Sequence, residues 1–149
     1  MAKAVLDTNV VLDFLDSGRP EHTTAVALVS ALVTADTSLC LPATSLKDVY
    51  YILTRTSGEP VARRAVTTLA QTMTILPVDS TTCDDALANH EPDFEDGLVR
   101  ACAETAAADW IVTRDQAGFT GSSVPKTDPA TLLAHLQSIS SDRRDLPGT

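Results

Sequence analysis

Short strand-like runs separated by helix-length segments constrain this chain more than any other feature of its sequence. Ala4-Val5-Leu6, Ser38 to Leu41, Met73 to Val78 and Trp110 to Thr113 are the runs, and Val124 to Lys126 reads as a short edge strand. Between them lie segments with apolar residues at helical spacing, such as Leu46, Val49, Tyr50 and Leu53. Continuously apolar strands alternating with helices require a parallel sheet covered on both faces. The expected fold class is therefore α/β, with a central parallel sheet of four to five strands. Residues 1–139 form the expected domain, and the polar segment 140–149 reads as a disordered tail.

Local signals set the helix boundaries. An apolar helix is expected from Val10 to Leu15, and Pro20 opens a second one. A helix from Thr44 stops at Gly58, and another runs from about Pro60 to Gln71 with Arg63 and Arg64 on its polar side. Ser80 to Asn89 forms the next. Asp93 is placed to cap a helix whose inward stripe would be Phe94, Leu98, Ala101, Cys102 and Thr105. Pro129 opens the last helix, expected to end near Ser138.

Cysteine and histidine usage narrows the chemistry. Cys40, Cys83 and Cys102 lie far apart in apolar surroundings, as expected of reduced thiols in a cytoplasmic protein. His22, His90 and His135 are equally scattered, with neither zinc-ligand spacing nor a pair suited to acid–base cleavage of RNA. No apolar run approaches the roughly 18–20 residues of a membrane span.

The acids are more informative. Ligands of open parallel sheets bind beyond the carboxyl ends of the strands. Asp7 follows the first strand, Asp48 lies in the first turns of the helix after the second, Asp96 opens the helix before the fourth, and Asp115 stands two residues beyond it. Each has a structural alternative. Asp7 could cap the next helix, Asp96 and Glu95 suit a helix dipole, and Asp115 suits a turn before Gly118. Asp48, flanked by Tyr51 and Ile52 as well as Leu46, Val49 and Tyr50, reads as an acid in or beside the core, with Arg55 or Arg100 as possible partners.

Several carboxylates within about 4 Å of one another repel by on the order of 4 kcal/mol per pair at an effective dielectric near 20. A hard divalent cation, Mg²⁺ or Mn²⁺, removes that cost and leaves coordination positions for water and phosphate oxygens. The formal charge of −9 argues against a nucleic-acid partner until such cations are considered.

Val5-Leu6-Asp7-Thr8-Asn9, the Ser45 to Leu53 segment, Asp93-Phe94-Glu95-Asp96 and Trp110-Ile111-Val112-Thr113-Arg114-Asp115 with Phe119 together resemble the PIN domain. The resemblance spans residues from about 4 to 137. It implies a three-layer α/β/α fold and a ribonuclease site in which Asp7, Asp48, Asp96 and Asp115 match the family acids. Asn9 and Thr113 match its supporting polar positions, with Glu95 as an extra outer ligand. The second family acid is often Glu, and Asp48 is one methylene shorter. A chain of this size also resembles VapC-type toxins, which implies a homodimer and a cognate antitoxin whose inserted segment blocks the site.

The expected activity is endoribonucleolytic hydrolysis by metal-activated water, with Asp7, Asp96 and Asp115 holding the principal metal and Asp48 completing the cluster. Lys47, Arg55, Arg100 and Arg114 are candidate RNA contacts, alongside Arg63 and Arg64. A haloacid-dehalogenase-type phosphatase would need a second Asp where Asn9 stands. A catalytically silent PIN domain, serving as an RNA-binding or protein-interaction module, is the alternative from another class. No stripe of aromatics for base stacking is evident in the sequence.

Overall fold

The computed structural model describes residues 1–145. Five parallel strands form one sheet in the order β3-β2-β1-β4-β5. The strands are β1 (Lys3–Leu6), β2 (Ser38–Pro42), β3 (Thr74–Leu76), β4 (Trp110–Val112) and β5 (Lys126–Thr127). The helices between and after them are α1 (Thr8–Leu15), α2 (His22–Thr34), α3 (Ala43–Ser57), α4 (Glu59–Thr72), α5 (Ser80–Ala88), α6 (Phe94–Thr105) and α7 (Pro129–Arg144).

Alternation along β1 explains the three layers. Ala4 and Leu6 point to one face and Val5 to the other, as strand geometry requires. On the first face, Ala4, Leu6, Leu39, Leu41 and Val112 pack with Val10 and Val11 of α1, Leu28 and Leu32 of α2, Val49 of α3, Leu69 of α4 and Leu132 of α7. On the second, Val5, Cys40 and Ile111 meet Val99 and Ala103 of α6 together with Phe119 and Val124. Both faces of the central strands are thus covered, and the fold is three-layer α/β/α.

Caps and glycines fix the boundaries. Gly58, at φ 89°, ends α3 and starts α4 in a conformation that side chains with a Cβ rarely adopt. Asp93 caps α6 by accepting from the Asp96 amide at 2.8 Å. Gly97 lets α6 approach α5 closely, since a Cβ there would stand 2.7 Å from the Ala86 carbonyl oxygen.

The structure corrects several boundaries. Helix α1 begins at Thr8 because Asp7 is its cap, and α2 begins at His22, two residues past Pro20. The edge strand is Lys126–Thr127, where Ile111 and Val112 find register partners. Helix α7 continues through Arg144, so residues 140–144 of the expected tail are helical. Residues 146–149 of that tail lie outside the described residues. On α6, Phe94 and Thr105 face outward rather than joining the buried stripe of Leu98, Ala101 and Cys102.

Candidate active site

Register places the site. Leu6 of β1 is paired with Val112 of β4, and the Asp7 amide donates to the Val112 carbonyl at 2.9 Å. Asp7 and Thr113 therefore emerge side by side at the carboxyl ends of the two central strands. A cleft of about 590 Å³ opens there. Its lining includes Asp7 and Asn9, Lys47 and Asp48, Asp93, Glu95 and Asp96, and Arg114 and Asp115. The strand ends, the first turns of α3 and α6, and the loop after β4 all contribute.

Asp7 is only 8% exposed. Its Oδ1 accepts from the Thr8 amide at 2.8 Å, which caps α1, and its Oδ2 accepts from the Thr113 hydroxyl at 2.8 Å. The cap and the cleft position are thus two uses of one carboxylate. Burial pushes its pKa above the ordinary aspartate value. The two hydrogen bonds oppose that rise, while the charges of Asp115 and Asp93 reinforce it. Thr113 also accepts from the Asp115 amide at 3.0 Å, and Asp115 Oδ1 accepts from the Ala117 amide at 2.9 Å.

Asp96 is pushed up to about 7, first by burial and then by the charges of Asp93, Asp7, Asp115 and Glu91. Glu95 is also pushed up to about 7, chiefly by its hydrogen-bonded contact with Asp48 and then by burial. Gly118 leaves a gap between two of the acids. A Cβ on it would stand 2.9 Å from Asp115 Oδ2 and 3.6 Å from Asp96 Oδ2.

These observations bear on whether a divalent cation fits. Among the described residues, no three His, Cys, Asp or Glu side chains close into a preassembled metal cage. The lining is instead a spaced, all-carboxylate set whose members raise one another's pKa values, with the Gly118 gap kept open beside two of them. That donor chemistry fits a hard ion bound partly through water and does not fit zinc.

The remaining expected site residues divide. Asn9, Lys47 and Arg114 line the cleft, and Thr113 lies buried beneath it. Asp48 is not a core acid. It pairs with Lys47 at 2.9 Å rather than with Arg55 or Arg100, and Tyr51, one turn on, is 59% exposed. Arg100 is displaced from the list of RNA contacts, because internal partners take up its guanidinium. It donates to Glu91 at 3.1 Å, to Glu104 at 2.9 Å and to the carbonyls of Asn89 and Gly121. Arg55 lies over the Tyr51 ring at 5.0 Å, and Arg63 pairs with Glu59 at 2.6 Å.

Two acids were not expected at or beside the cleft. Asp93 lines the cleft as well as capping α6. Asp13, 1% exposed, accepts from Arg19 at 2.8 Å and from Arg114 at 2.7 Å, tying α1 to the loop after β4. Its signal was present: a single acid stands within the apolar run Val10 to Leu15, and Arg19 follows six residues on.

Comparison with known proteins agrees with this architecture. The PIN domain family model matches residues 3–117. Among solved structures, the chain is similar to the sarcin–ricin loop-cleaving toxin VapC20 of Mycobacterium tuberculosis, at 18% identity over 72% of this chain and 86% of that one, with a TM-score of 0.61. A toxin–antitoxin complex from Klebsiella pneumoniae is 21% identical over 85% of this chain and 97% of that one, with a TM-score of 0.64. VapBC-1 from nontypeable Haemophilus influenzae is 15% identical over 85% and 98%, with a TM-score of 0.66. At such identities these likenesses are of fold. No curated protein matches the chain in sequence.

Proposed function

The chain belongs to the PIN domain family, and from that premise we propose that it is a divalent-metal-dependent endoribonuclease, the toxin of a toxin–antitoxin pair. The observation that carries the reading is the gathering of Asp7, Asp48, Asp96 and Asp115 along one cleft at the carboxyl edge of a parallel sheet. Toxins and toxin–antitoxin complexes among proteins of the same fold support the physiological role.

Asp7, Asp96 and Asp115 would hold Mg²⁺ or Mn²⁺, and Asp48 would complete the set, with Asn9, Thr113 and Glu95 in support. When bound, the cation would supply Lewis-acid chemistry that lowers the pKa of water and offsets charge on the phosphate. Thr113 and the Thr8 amide fix one hydrogen bond on each oxygen of Asp7, so its carboxylate does not rotate. Lys47 and Arg114, both on the cleft lining, steady the non-bridging phosphate oxygens, Arg114 through the Nη1 that its pairing with Asp13 does not use. Water attacks phosphorus, the P–O3′ bond breaks, and its protons pass to the leaving oxygen and the surrounding carboxylates.

Products with 5′-phosphate and 3′-hydroxyl ends follow from that chemistry. Mapping the ends of RNA fragments formed with Mg²⁺ or Mn²⁺ tests it. Fragments ending in 2′,3′-cyclic phosphate would overturn it, because they require attack by the RNA's own 2′-hydroxyl.

The cognate antitoxin occupies the cleft and keeps RNA out. The toxin acts as a homodimer, the state its resemblance to VapC-type toxins implies. Sedimentation of the purified chain tests the dimer.

A further inference from the structure

Two aromatic side chains expected in the interior stand outside it. Tyr51 is 59% exposed and Phe94 is 45% exposed, and both belong to the lining of the acidic cleft. They come from separate elements, α3 and the first residue of α6, both of which contribute to the cleft lining. Aromatic residues make up only 4% of the chain, so placing two of them in water on one lining is a conspicuous use of a scarce type. Large apolar groups gathered at a cleft mark a binding surface in a way that scattered ones do not.

We propose that Tyr51 and Phe94 stack the unpaired bases flanking the scissile phosphate and thereby select single-stranded RNA. This deepens the reading of the cleft as an RNA site and rests on it. Bases in an A-form duplex present no free face to a side chain, whereas splayed bases of loops and single strands stack readily on Tyr and Phe. The Arg55 guanidinium lies over one face of the Tyr51 ring at 5.0 Å, and Lys47 and Arg114, paired with Asp48 and Asp13, stand on the same lining. Bases and backbone are therefore met by neighbouring groups of matching chemistry. The carboxylates that would hold the cation stand on the same lining. The rings are sequence-tolerant, since every base has a π-face. They set the class of RNA that enters, not its sequence.

The test uses the full chain with Ca²⁺ in place of Mg²⁺ and three probes: a short single-stranded RNA carrying 2-aminopurine, an abasic strand of equal length, and the corresponding duplex. Cleavage of the single strand in Mn²⁺ is followed in parallel. Tyr51→Ala and Phe94→Ala should each weaken single-strand binding by about tenfold and abolish 2-aminopurine quenching. Tyr51→Phe and Phe94→Tyr should retain both. Affinity for the abasic strand should be low and equal in every variant. Equal loss of the abasic and base-bearing strands in the alanine variants would overturn the inference, since it would report a damaged cleft. Unchanged affinity and intact cleavage in both alanine variants would also overturn it, leaving the nuclease reading in place and the aromatic lining to a protein partner. Ring-dependent quenching without any cleavage would sustain the stacking while removing the nuclease.

Discussion

The Thr113 hydroxyl donates a 2.8 Å hydrogen bond to Asp7 Oδ2 and accepts from the Asp115 amide at 3.0 Å, so one buried hydroxyl links two of the four cleft acids. The bond also lowers the Asp7 pKa against the effect of burial. Thr113→Val removes both functions while keeping the side-chain shape. The expected outcome is an activity loss of about tenfold or more, with the acid limb of the pH–rate profile moved to higher pH. Thr113→Ser should restore most of both. A valine variant with an unshifted profile would mean that Thr113 only fills space.

Burial and mutual repulsion make stability depend on pH in an unusual direction. In the unfolded chain the Asp96 carboxyl titrates near its ordinary value of 3.8, and in the folded protein it is pushed up to about 7. Between those values the folded state holds a proton that the unfolded chain has released. Stability of the metal-free protein should therefore fall as pH rises from about 4 to about 7. Glu95, also raised to about 7, adds to the same trend. Thermal melts in EDTA should show Tm declining across that window, and Asp96→Asn should flatten the decline. Mn²⁺ should raise Tm more above pH 7 than below pH 5, because it competes with the same protons. A wild-type Tm that is level or rising across the window would contradict this.

Two glycines separate function from folding. A Cβ at Gly118 would meet the carboxylate ends of Asp115 and Asp96, which can swing aside, whereas one at Gly97 would stand 2.7 Å from the rigid Ala86 carbonyl. Gly118→Ala should reduce metal affinity and cleavage with little change in Tm. Gly97→Ala should lose about 1–3 kcal/mol of stability by forcing α5 and α6 apart. Denaturant titration alongside activity distinguishes the two. An equal stability loss in both variants would refute the assignment of Gly118 to the cleft.

Arginine and lysine roles differ by their partners. Arg100 is 15% exposed and bridges Glu91 and Glu104, so Arg100→Ala should cost about 3 kcal/mol in stability by leaving the Glu91 carboxylate with the Phe119 amide but no cation. It should not change the salt dependence of RNA binding beyond what unfolding explains. Lys47→Ala should keep the melting temperature and reduce the slope of log affinity against log salt by about one contact. Filter binding at several ionic strengths reads this directly, and an unchanged slope would remove Lys47 from the RNA contacts.

Period and position carried most of the architecture into the sequence. Apolar runs at β1, β2 and β4, the stop at Gly58 and the cap at Asp93 are local signals, and each has its expected structure. Placing acids beyond strand ends was enough to bring Asp7, Asp48, Asp96 and Asp115 to one cleft, because strand ends in a parallel sheet share an edge. What was not legible depends on contacts distant in sequence. Arg114 finds Asp13 across 101 positions, and Arg100 is claimed by a loop carbonyl 21 residues away. Tyr51 and Phe94 looked interior because an aromatic on a helix pattern reads the same whether its neighbour is core or an open cleft. The edge strand expected at Val124 to Lys126 is the two-residue β5, and only its pairing with Ile111 and Val112 sets its bounds at Lys126–Thr127.

The most direct test of the central claim strips metal from the purified chain with EDTA and restores Mg²⁺ or Mn²⁺ in the presence of RNA. It runs beside Asp7→Asn, Asp48→Asn, Asp96→Asn and Asp115→Asn variants shown by circular dichroism to be folded. The expected result is no cleavage without metal, recovery on re-addition, and a loss of about a hundredfold or more in the Asp7, Asp96 and Asp115 variants. Cleavage that persists in EDTA, or that survives in folded Asp7→Asn and Asp96→Asn, would contradict it.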